Sequence, residues 1–259
     1  MIIEFLRQWK RKLRLTRKPI FILGNQKSGT SIIVELVGDA SKKSFVNDID
    51  KIYEPIQYKL YTKVLPFKNF IESIAYQEFS AEIIKEPSLT LFYKELIKLY
   101  PKSKYVFIIR DPRDNIRSIL DRVKLSGNKN ISLDDISASD LTIEWKKILD
   151  NRWLGYVGND CIESLAYRWN LFAKIYNDNR ENMILVRYED FLADKAKYID
   201  RLCSRLEIKY SDISNKVDIQ YQPKGNSSVN LEDFFGIENL NKIKNMCYDN
   251  AVIFDYKIN

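Results

Sequence analysis

Residues 20–37 place three features in a row: a short apolar run (Ile20-Phe21-Ile22-Leu23), a glycine-bearing loop (Gly24-Asn25-Gln26-Lys27-Ser28-Gly29-Thr30-Ser31) and a helical stretch from Ile32 to Val37. An apolar run that does not alternate suits a strand buried on both faces. A strand that passes straight into a helix through such a turn belongs to an α/β layer fold with a mainly parallel sheet. The rest of the chain repeats the alternation. A short strand is expected near residues 43–46, and Ile83-Ile84 runs into Lys85-Glu86-Pro87. A helix predicted over 89–100 stops at Pro101, ahead of Tyr105-Val106-Phe107-Ile108-Ile109, the clearest strand in the chain. A late strand, Met183-Ile184-Leu185-Val186, precedes Arg187-Tyr188-Glu189-Asp190, and helical patterns fill 139–155, 161–178 and 195–207. No repeat, low-complexity tract or linker interrupts the pattern, so residues 19–259 read as one domain.

The net charge of +7 comes from 42 Lys plus Arg against 35 Asp plus Glu. Arg7, Lys10, Arg11, Lys12, Arg14, Arg17 and Lys18 face a single acid, Glu4, so nearly all of the excess lies in residues 1–18. The remaining body is close to neutral, and nucleic acid is not an expected partner. Ile2, Phe5, Leu6, Trp9 and Leu13 recur in the arm at helical spacing. An amphipathic helix of this kind can pack on the domain or lie on an anionic membrane surface. Its charges interrupt any signal-peptide core, and no apolar run approaches the roughly 18–20 residues of a spanning helix. Cys161, Cys203 and Cys247 are dispersed. They offer neither a disulfide framework nor a metal pair, and favour a reducing, cytoplasmic setting. The chain has no histidine. Imidazole is thereby removed as general base and as zinc ligand, which leaves carboxylate, lysine, tyrosine or thiolate for any proton transfer.

A strand, a glycine loop and a helix together present backbone N–H groups and a helix N-terminus to an anion. Gly24 and Gly29 admit backbone conformations or close approaches that other residues resist. Thr30 and Ser31 add hydroxyls in the first helical turn, and Lys27 adds a mobile cation. In a nucleoside-triphosphate loop, GxxxxGK[ST], the lysine follows the second glycine and the hydroxyl holds magnesium. Here Lys27 precedes Gly29, which argues against an ordinary nucleoside triphosphatase. The second motif is Arg110-Asp111-Pro112-Arg113-Asp114-Asn115-Ile116-Arg117-Ser118, delivered by the strand that ends at Ile109. Open α/β sheets bind ligands at the carboxyl ends of their strands. Asp111 suits an N-cap and Pro112 the first helical position. Arg110 at the strand end and Ser118 two turns into the helix can converge on one phosphate, a task for which the planar arginine fork is suited. Arg113 and Arg117 read as solvated helix charges.

In these motifs the sequence resembles the sulfotransferases that use 3′-phosphoadenosine 5′-phosphosulfate (PAPS), over about residues 19–230. Lys27-Ser28-Gly29-Thr30-Ser31 resembles the family's KSGTT loop for the 5′-phosphosulfate. Arg110 and Ser118 have the family's spacing for the 3′-phosphate. Tyr188 resembles the tyrosine found near adenine in cytosolic members. Lys85-Glu86-Pro87, with its following helix and Pro101, resembles a segment of carbohydrate and tyrosyl-protein members. Lys224-Gly225-Asn226-Ser227-Ser228 resembles a late loop that closes over the 3′-phosphate. The tryptophan that many cytosolic members carry after the first loop is Ile32 here, and their histidine base is absent. Both departures put the chain nearer the glutamate-base, carbohydrate and tyrosyl-protein branch. The resemblance implies a P-loop-like three-layer α/β fold with a central mainly parallel sheet flanked by helices. It also implies transfer of a sulfuryl group from PAPS to a hydroxyl or amine, leaving PAP.

Within that expectation, Lys27 and the helix amides stabilise the leaving phosphate. The 3′-phosphate clamp anchors the remote end of the donor, and a carboxylate takes the acceptor's proton. Glu54, in Ile52-Tyr53-Glu54-Pro55 just after the second strand, is the favoured base, with Glu86 as its rival. Lys85 is a second candidate cation facing the sulfuryl group, or a partner in an ordinary salt bridge. No metal is expected, because sulfuryl transfer carries less charge than phosphoryl transfer. Trp145, Trp153, Tyr156 and Trp169, like Tyr53, Tyr58 and Tyr61, suit either core packing or the face of a sugar. A glycan or lipid-linked glycan is the expected acceptor, with tyrosyl peptides and small alcohols also open. Residues 1–18 either pack on the domain or make peripheral contact with the inner face of the membrane, and both remain open. The alternatives are an ATP-dependent kinase on a related scaffold and a non-catalytic, membrane-associated nucleotide-binding module.

Overall fold

The computed structural model describes residues 15–219 and 229–258. In chain order the main elements begin with β1 (Ile20–Gly24), α1 (Thr30–Ser41), β2 (Phe45–Asn47), α2 (Ile56–Tyr61), β3 (Ile83–Lys85), α3 (Tyr93–Leu99) and β4 (Lys104–Ile109). They continue with α4 (Pro112–Val123), α5 (Leu133–Ala138), α6 (Ile143–Leu149), α7 (Cys161–Asn177), β5 (Ile184–Arg187), α8 (Tyr188–Ala193), α9 (Lys195–Leu206) and α10 (Leu231–Ile253). The strands form one sheet in the order β2-β3-β1-β4-β5, and β2–β3, β3–β1 and β1–β4 pair in parallel. This is the expected α/β architecture of a parallel sheet flanked by helices. The described residues fall into two compact units. One holds residues 15–25, Gly29–Ile108 and residues 179–219; the other holds Gln26–Ser28, Ile109–Asp178 and residues 229–258.

In the first unit, the unbroken apolar runs serve two differently made layers. Successive strand side chains point to opposite faces of a sheet. Ile20 and Ile22 of β1 join Val106 and Ile108 of β4 on one face, where Ile33, Val34, Leu36, Val37 and Ala40 of α1 close an aliphatic core. Ile199, Leu202, Cys203 and Leu206 of α9 enter the same core. The three- and four-residue spacing of these positions gives each helix one apolar stripe. Phe21 points the other way and stacks on Tyr105, with centroids 5.3 Å apart and planes 12° from parallel. Tyr100 meets its edge at 5.4 Å, and Phe79 lies tilted against it at 6.1 Å. The register sets Phe21 beside Tyr105 and Ile22 beside Val106, so neighbouring strands feed the same two layers.

The second unit is helical. The Asp111 carboxylate accepts from the Arg113 N–H at 2.9 Å and Pro112 opens α4, as the sequence predicts. Asp160 caps α7, and Asn230 caps α10, which breaks at Gly236 (φ 68°). Asn170 of α7 donates to the Met246 carbonyl at 2.7 Å and accepts from Asn250 of α10 at 2.9 Å.

Two expected helices are interrupted. The pattern over 139–155 gives α6, which ends at Leu149, and then a 3-10 turn, Arg152–Leu154. Between them the Asn151 amide donates to the Ile148 and Ser164 carbonyls and to Ser164 Oγ, each at 3.0 Å. Side-chain bonds of this kind compete with the helical ladder. The pattern over 89–100 opens as a 3-10 turn, Pro87–Phe92, before α3, and there Thr90 Oγ1 accepts from the Gly24 N–H at 3.0 Å. The edge strands β2 and β5 start slightly later than their apolar runs, since strand ends follow pairing rather than hydropathy. Residues 1–14 of the basic arm lie outside the described residues. Residues 15–18 form no helix, and Thr16 donates to the Phe79 and Ser80 carbonyls at 3.0 and 2.7 Å. Among the described residues no helix is long and apolar enough to cross a membrane.

Phe21 has no exposed surface and touches three other rings of its layer. Phe21→Ala is expected to cost about 3–5 kcal/mol, against about 0.5–1.5 kcal/mol for Ile22→Val on the aliphatic face. Urea unfolding followed by circular dichroism measures both, and similar penalties would contradict the packing described.

Candidate active site

β1 delivers Gly24 to the carboxyl edge of the sheet. Its φ is 143°, and a Cβ there would overlap the Ile108 carbonyl oxygen. Lys27 is itself left-handed (φ 63°), and Gly29 follows at φ 93°. The Tyr188 ring, at the start of α8, lies against Gly29 where a side chain would go. The tyrosine expected near adenine is thus also a wall of the loop. α1 starts at Thr30 with Gly29 in its N-cap position, no side-chain cap and no acid in the first turn. By contrast α4, α7, α9 and α10 are capped by the side chains of Asp111, Asp160, Asp194 and Asn230. The first N–H groups of a helix lack intrahelical partners and carry partial positive charge. Without a side-chain acceptor, those of α1 suit an anion, and the Thr30 and Ser31 hydroxyls belong to the same turn.

In the first unit, β3 brings Lys85 to this edge of the sheet. The Lys85 side chain is 4% exposed; its ammonium donates to Ser31 Oγ at 3.0 Å and pairs with Asp48 Oδ1 at 2.5 Å. It is a buried cation tied to the loop hydroxyl and balanced by a carboxylate that the sequence does not single out. Glu86 is buried beside it. Its Oε2 accepts from the Ile49 N–H at 3.0 Å and its Oε1 from the Ser88 N–H at 2.8 Å. Burial, and then the Asp48 charge, raises the carboxyl above the ordinary range against the pull of those two amides. With both oxygens engaged by backbone, Glu86 braces the turns that follow β2 and β3. Glu54 differs. It sits half-buried just before α2, and its Oε1 is buried with no hydrogen-bond partner among the described residues. A buried acceptor without a donor is costly, and therefore uncommon.

In the second unit, Arg110 donates from Nη1 to the Lys27 carbonyl at 3.2 Å, and its Nη2 lies 3.8 Å from Asp114 Oδ1. Ser118 is buried two turns along α4. Asn115, on the same helix face three residues earlier, donates from Nδ2 to the Gln26 carbonyl at 2.8 Å and to Ser28 Oγ at 3.1 Å. Position was the available signal for Asn115, because residues three apart on a helix are neighbours. Asp48 and the Gln26 side-chain contacts left no such signal, since only the fold brings their partners near.

Arg113 and Arg117 are not the solvated charges expected. Arg113 forks onto Asp111 at 3.0 and 2.7 Å and also donates to the Lys257 carbonyl at 3.0 Å. The Arg117 guanidinium is buried between Asp114 at 3.2 Å and Asp121 at 2.8 Å. Acids three residues before and four after the arginine supply both partners from the same helix. Trp169 is core: it is buried, and its Nε1 donates to the Arg110 carbonyl at 2.9 Å. The Trp153 Nε1 donates to the Lys147 carbonyl at 2.9 Å, and the Arg122 guanidinium lies 5.8 Å from the Trp145 ring centre. Lys224 and Gly225 lie outside the described residues.

The loop conformation yields a direct test. Gly29→Ala is expected to lose at least about 1 kcal/mol to the left-handed backbone, with a further loss from displacing the Tyr188 ring. In a Tyr188→Ala background the penalty should shrink without vanishing. Equal penalties in urea unfolding of both backgrounds would contradict the packing of that ring on Gly29.

Comparison with known proteins bears on this geometry. No curated protein matches the chain by sequence. Among solved structures, a sulfotransferase from Mycobacterium avium aligns with TM-score 0.58 and 11% identity over 99% of this chain and 82% of its own. One from Alicyclobacillus acidocaldarius aligns with TM-score 0.51 and 15% identity over 94% and 98%. A mouse sulfotransferase complexed with PAP aligns with TM-score 0.52 and 13% identity over 93% and 86%. At these identities the likeness is one of fold. The sequence profile described as the sulfotransferase family matches residues 44–212, a stretch that includes Lys85, Arg110, Ser118 and Tyr188 and starts after the glycine loop. With well over half of its length matched in this way, the chain belongs to the sulfotransferase family.

Proposed function

We propose that this sulfotransferase uses PAPS as donor and a glycan or lipid-linked glycan as acceptor. The observation that carries the donor assignment is the uncapped amino end of α1, with Lys27 in the preceding loop and the Lys85 ammonium on Ser31 Oγ. The structural likeness to a mouse sulfotransferase complexed with PAP supports the same reading. PAPS supplies an activated sulfuryl group on a phosphate leaving group. In this reading the α1 amides, Ser28, Gly29, Thr30 and Ser31 hold the 5′-phosphosulfate, and Lys27 offsets charge that builds on the leaving oxygen. Lys85 places a second cation there, kept in position by Asp48. Arg110 and Ser118 hold the 3′-phosphate, with Lys224 and Gly225 assigned to the same end on resemblance alone. Tyr188 keeps Gly29 in place.

Glu54 is the base in this reading. A carboxylate oxygen that is buried yet accepts from no described residue is suited to take a proton from the acceptor's hydroxyl,. Glu86 has no such oxygen. Tyr58 and Tyr61, 50% and 41% exposed on the helix that follows Glu54, offer aromatic faces suited to a sugar,. The three buried, unbridged cysteines fit a cytoplasmic location,, and the basic arm fits peripheral attachment to anionic lipid.

Thermal-shift titration tests the donor. PAP without Mg²⁺ is expected to raise the melting temperature, by mass action on the folded state. Stabilisation by ATP–Mg²⁺ in place of PAP would favour the kinase reading and overturn this one. With labelled PAPS and a glycan panel, Lys27→Ala is expected to abolish transfer. Glu54→Gln should lower kcat by roughly 10²–10⁴-fold and leave PAP affinity unchanged; undiminished kcat would remove Glu54 from the mechanism.

A further inference from the structure

Lys27 carries the main electrostatic role in this reading, yet its backbone adopts a conformation that residues with a Cβ avoid, at φ 63°,. Non-glycine residues hold such angles where their surroundings over-determine them. Here the surroundings are side chains of the second unit, the unit to which Gln26–Ser28 belong. Asn115, without exposed surface, donates to the Gln26 carbonyl at 2.8 Å and to Ser28 Oγ at 3.1 Å, one residue to either side of Lys27. Arg110 donates to the Lys27 carbonyl at 3.2 Å. The Gln26 carbonyl belongs to the peptide plane before Lys27 and the Lys27 carbonyl to the plane after it. Peptide planes are rigid, so the φ and ψ of Lys27 are the only soft angles between them. Bonds that fix both planes therefore fix the lysine.

The Gln26 side chain provides the second hold. Arg168 of α7 is 1% exposed, and its guanidinium lies 4.8 Å from the Phe172 ring centre. Its Nη2 donates to Gln26 Oε1 at 2.8 Å and its Nη1 to Asn151 Oδ1 at 3.1 Å. Arginine has no acceptor, so both amides must turn their oxygens toward it. Asn151 has no choice in this: its Nδ2 is committed to Ser164 Oγ and to the Ile148 and Ser164 carbonyls. Gln26 is thereby held through its carbonyl by Asn115 and through its side chain by Arg168.

We propose that Asn115 and Arg168 are positioning residues that aim the Lys27 side chain by holding Gln26 and the peptide plane before the lysine, Asn115 through the Gln26 carbonyl and Arg168 through the Gln26 side chain, while Arg110 holds the plane after it. The inference rests on the reading of Lys27 as the cation at the phosphosulfate. Two measurements on the full chain test it: hydrogen exchange of residues 24–31 by mass spectrometry, and PAP affinity by calorimetry. The variants are Asn115→Ala, Arg168→Lys, Lys27→Ala and the Asn115→Ala/Lys27→Ala double. Arg168→Lys keeps the charge and loses the fork that reaches two oxygens. Exchange in 24–31 is expected to rise in the first two variants while peptides of α9 stay at wild-type rates. PAP affinity is expected to fall on the order of tenfold in Asn115→Ala, with little further loss when Lys27 is already alanine. Where a buried variant fails to fold, Gln26→Ala removes the acceptor for Arg168 at a half-buried position and should give the same loop response. Unchanged loop exchange, or losses of affinity that simply add in the double variant, would overturn the proposal. Absence of PAP binding by the unaltered protein would overturn the donor reading instead, and the exchange data would still decide the clamp.

Discussion

The amino end of α1 has no side-chain acceptor, and much of the surrounding structure compensates for that. A capping side chain is worth about 1 kcal/mol to a helix, and here the position is held by a glycine. The helix is kept in place by other means: five of its apolar residues enter the aliphatic layer under β1 and β4. The turn that leads into it contains three residues at positive φ, Gly24, Lys27 and Gly29. Each is fixed by something outside the turn. Thr90 holds the Gly24 amide, Arg110 the Lys27 carbonyl, and the Tyr188 ring covers Gly29. The backbone amides of this turn are thus held by burial and by distant side chains, the kind of preorganisation that the proposed anion site would require.

The same economy applies to charge. The body of the chain is nearly neutral, so under the proposed reading attraction for an anionic donor would rest on a few placed cations. Two of them are oriented by a local acid: Lys85 by Asp48, Arg110 by Asp114. A pair with one buried and one partly exposed partner adds little to stability, because desolvation offsets much of the Coulomb term,. Its value is positional. The carboxylates divide in a related way. Glu86 accepts two backbone amides and acts as a brace, whereas Glu54 keeps one buried oxygen without a donor among the described residues.

Much of this was legible in the residues. Unbroken apolar runs marked β1 and β4 because a strand covered on both faces has no polar side to show. Lys27-Ser28-Gly29-Thr30-Ser31 and the Arg110-to-Ser118 spacing marked the two strand-to-helix junctions, since local geometry alone joins a strand end to a helix start. What failed depended on burial and on side-chain bonds that a pattern of residue types does not report. Arg117 looked solvated on a helical wheel, yet the fold buries it between two acids. The pattern over 139–155 looked continuous until Asn151 took up backbone carbonyls and ended α6. Trp169 is core, the commoner role of an aromatic at helical spacing, with its indole N–H on the Arg110 carbonyl.

By itself, the sequence determined that this chain forms a parallel α/β sheet with a glycine loop feeding a helix, and that imidazole takes no part in its chemistry. Those properties follow from hydrophobic periodicity, turn chemistry and composition, all of which act over a few neighbouring residues. Only the tertiary structure decided which side chains hold the loop and which glutamate keeps an oxygen free. Asn115 and Arg168 reach Ser28 and Gln26 across separations of 87 and 142 positions, and Asp48 reaches Ser31 through Lys85. No local signal reports such meetings, because they exist only once burial has brought the strands and helices together.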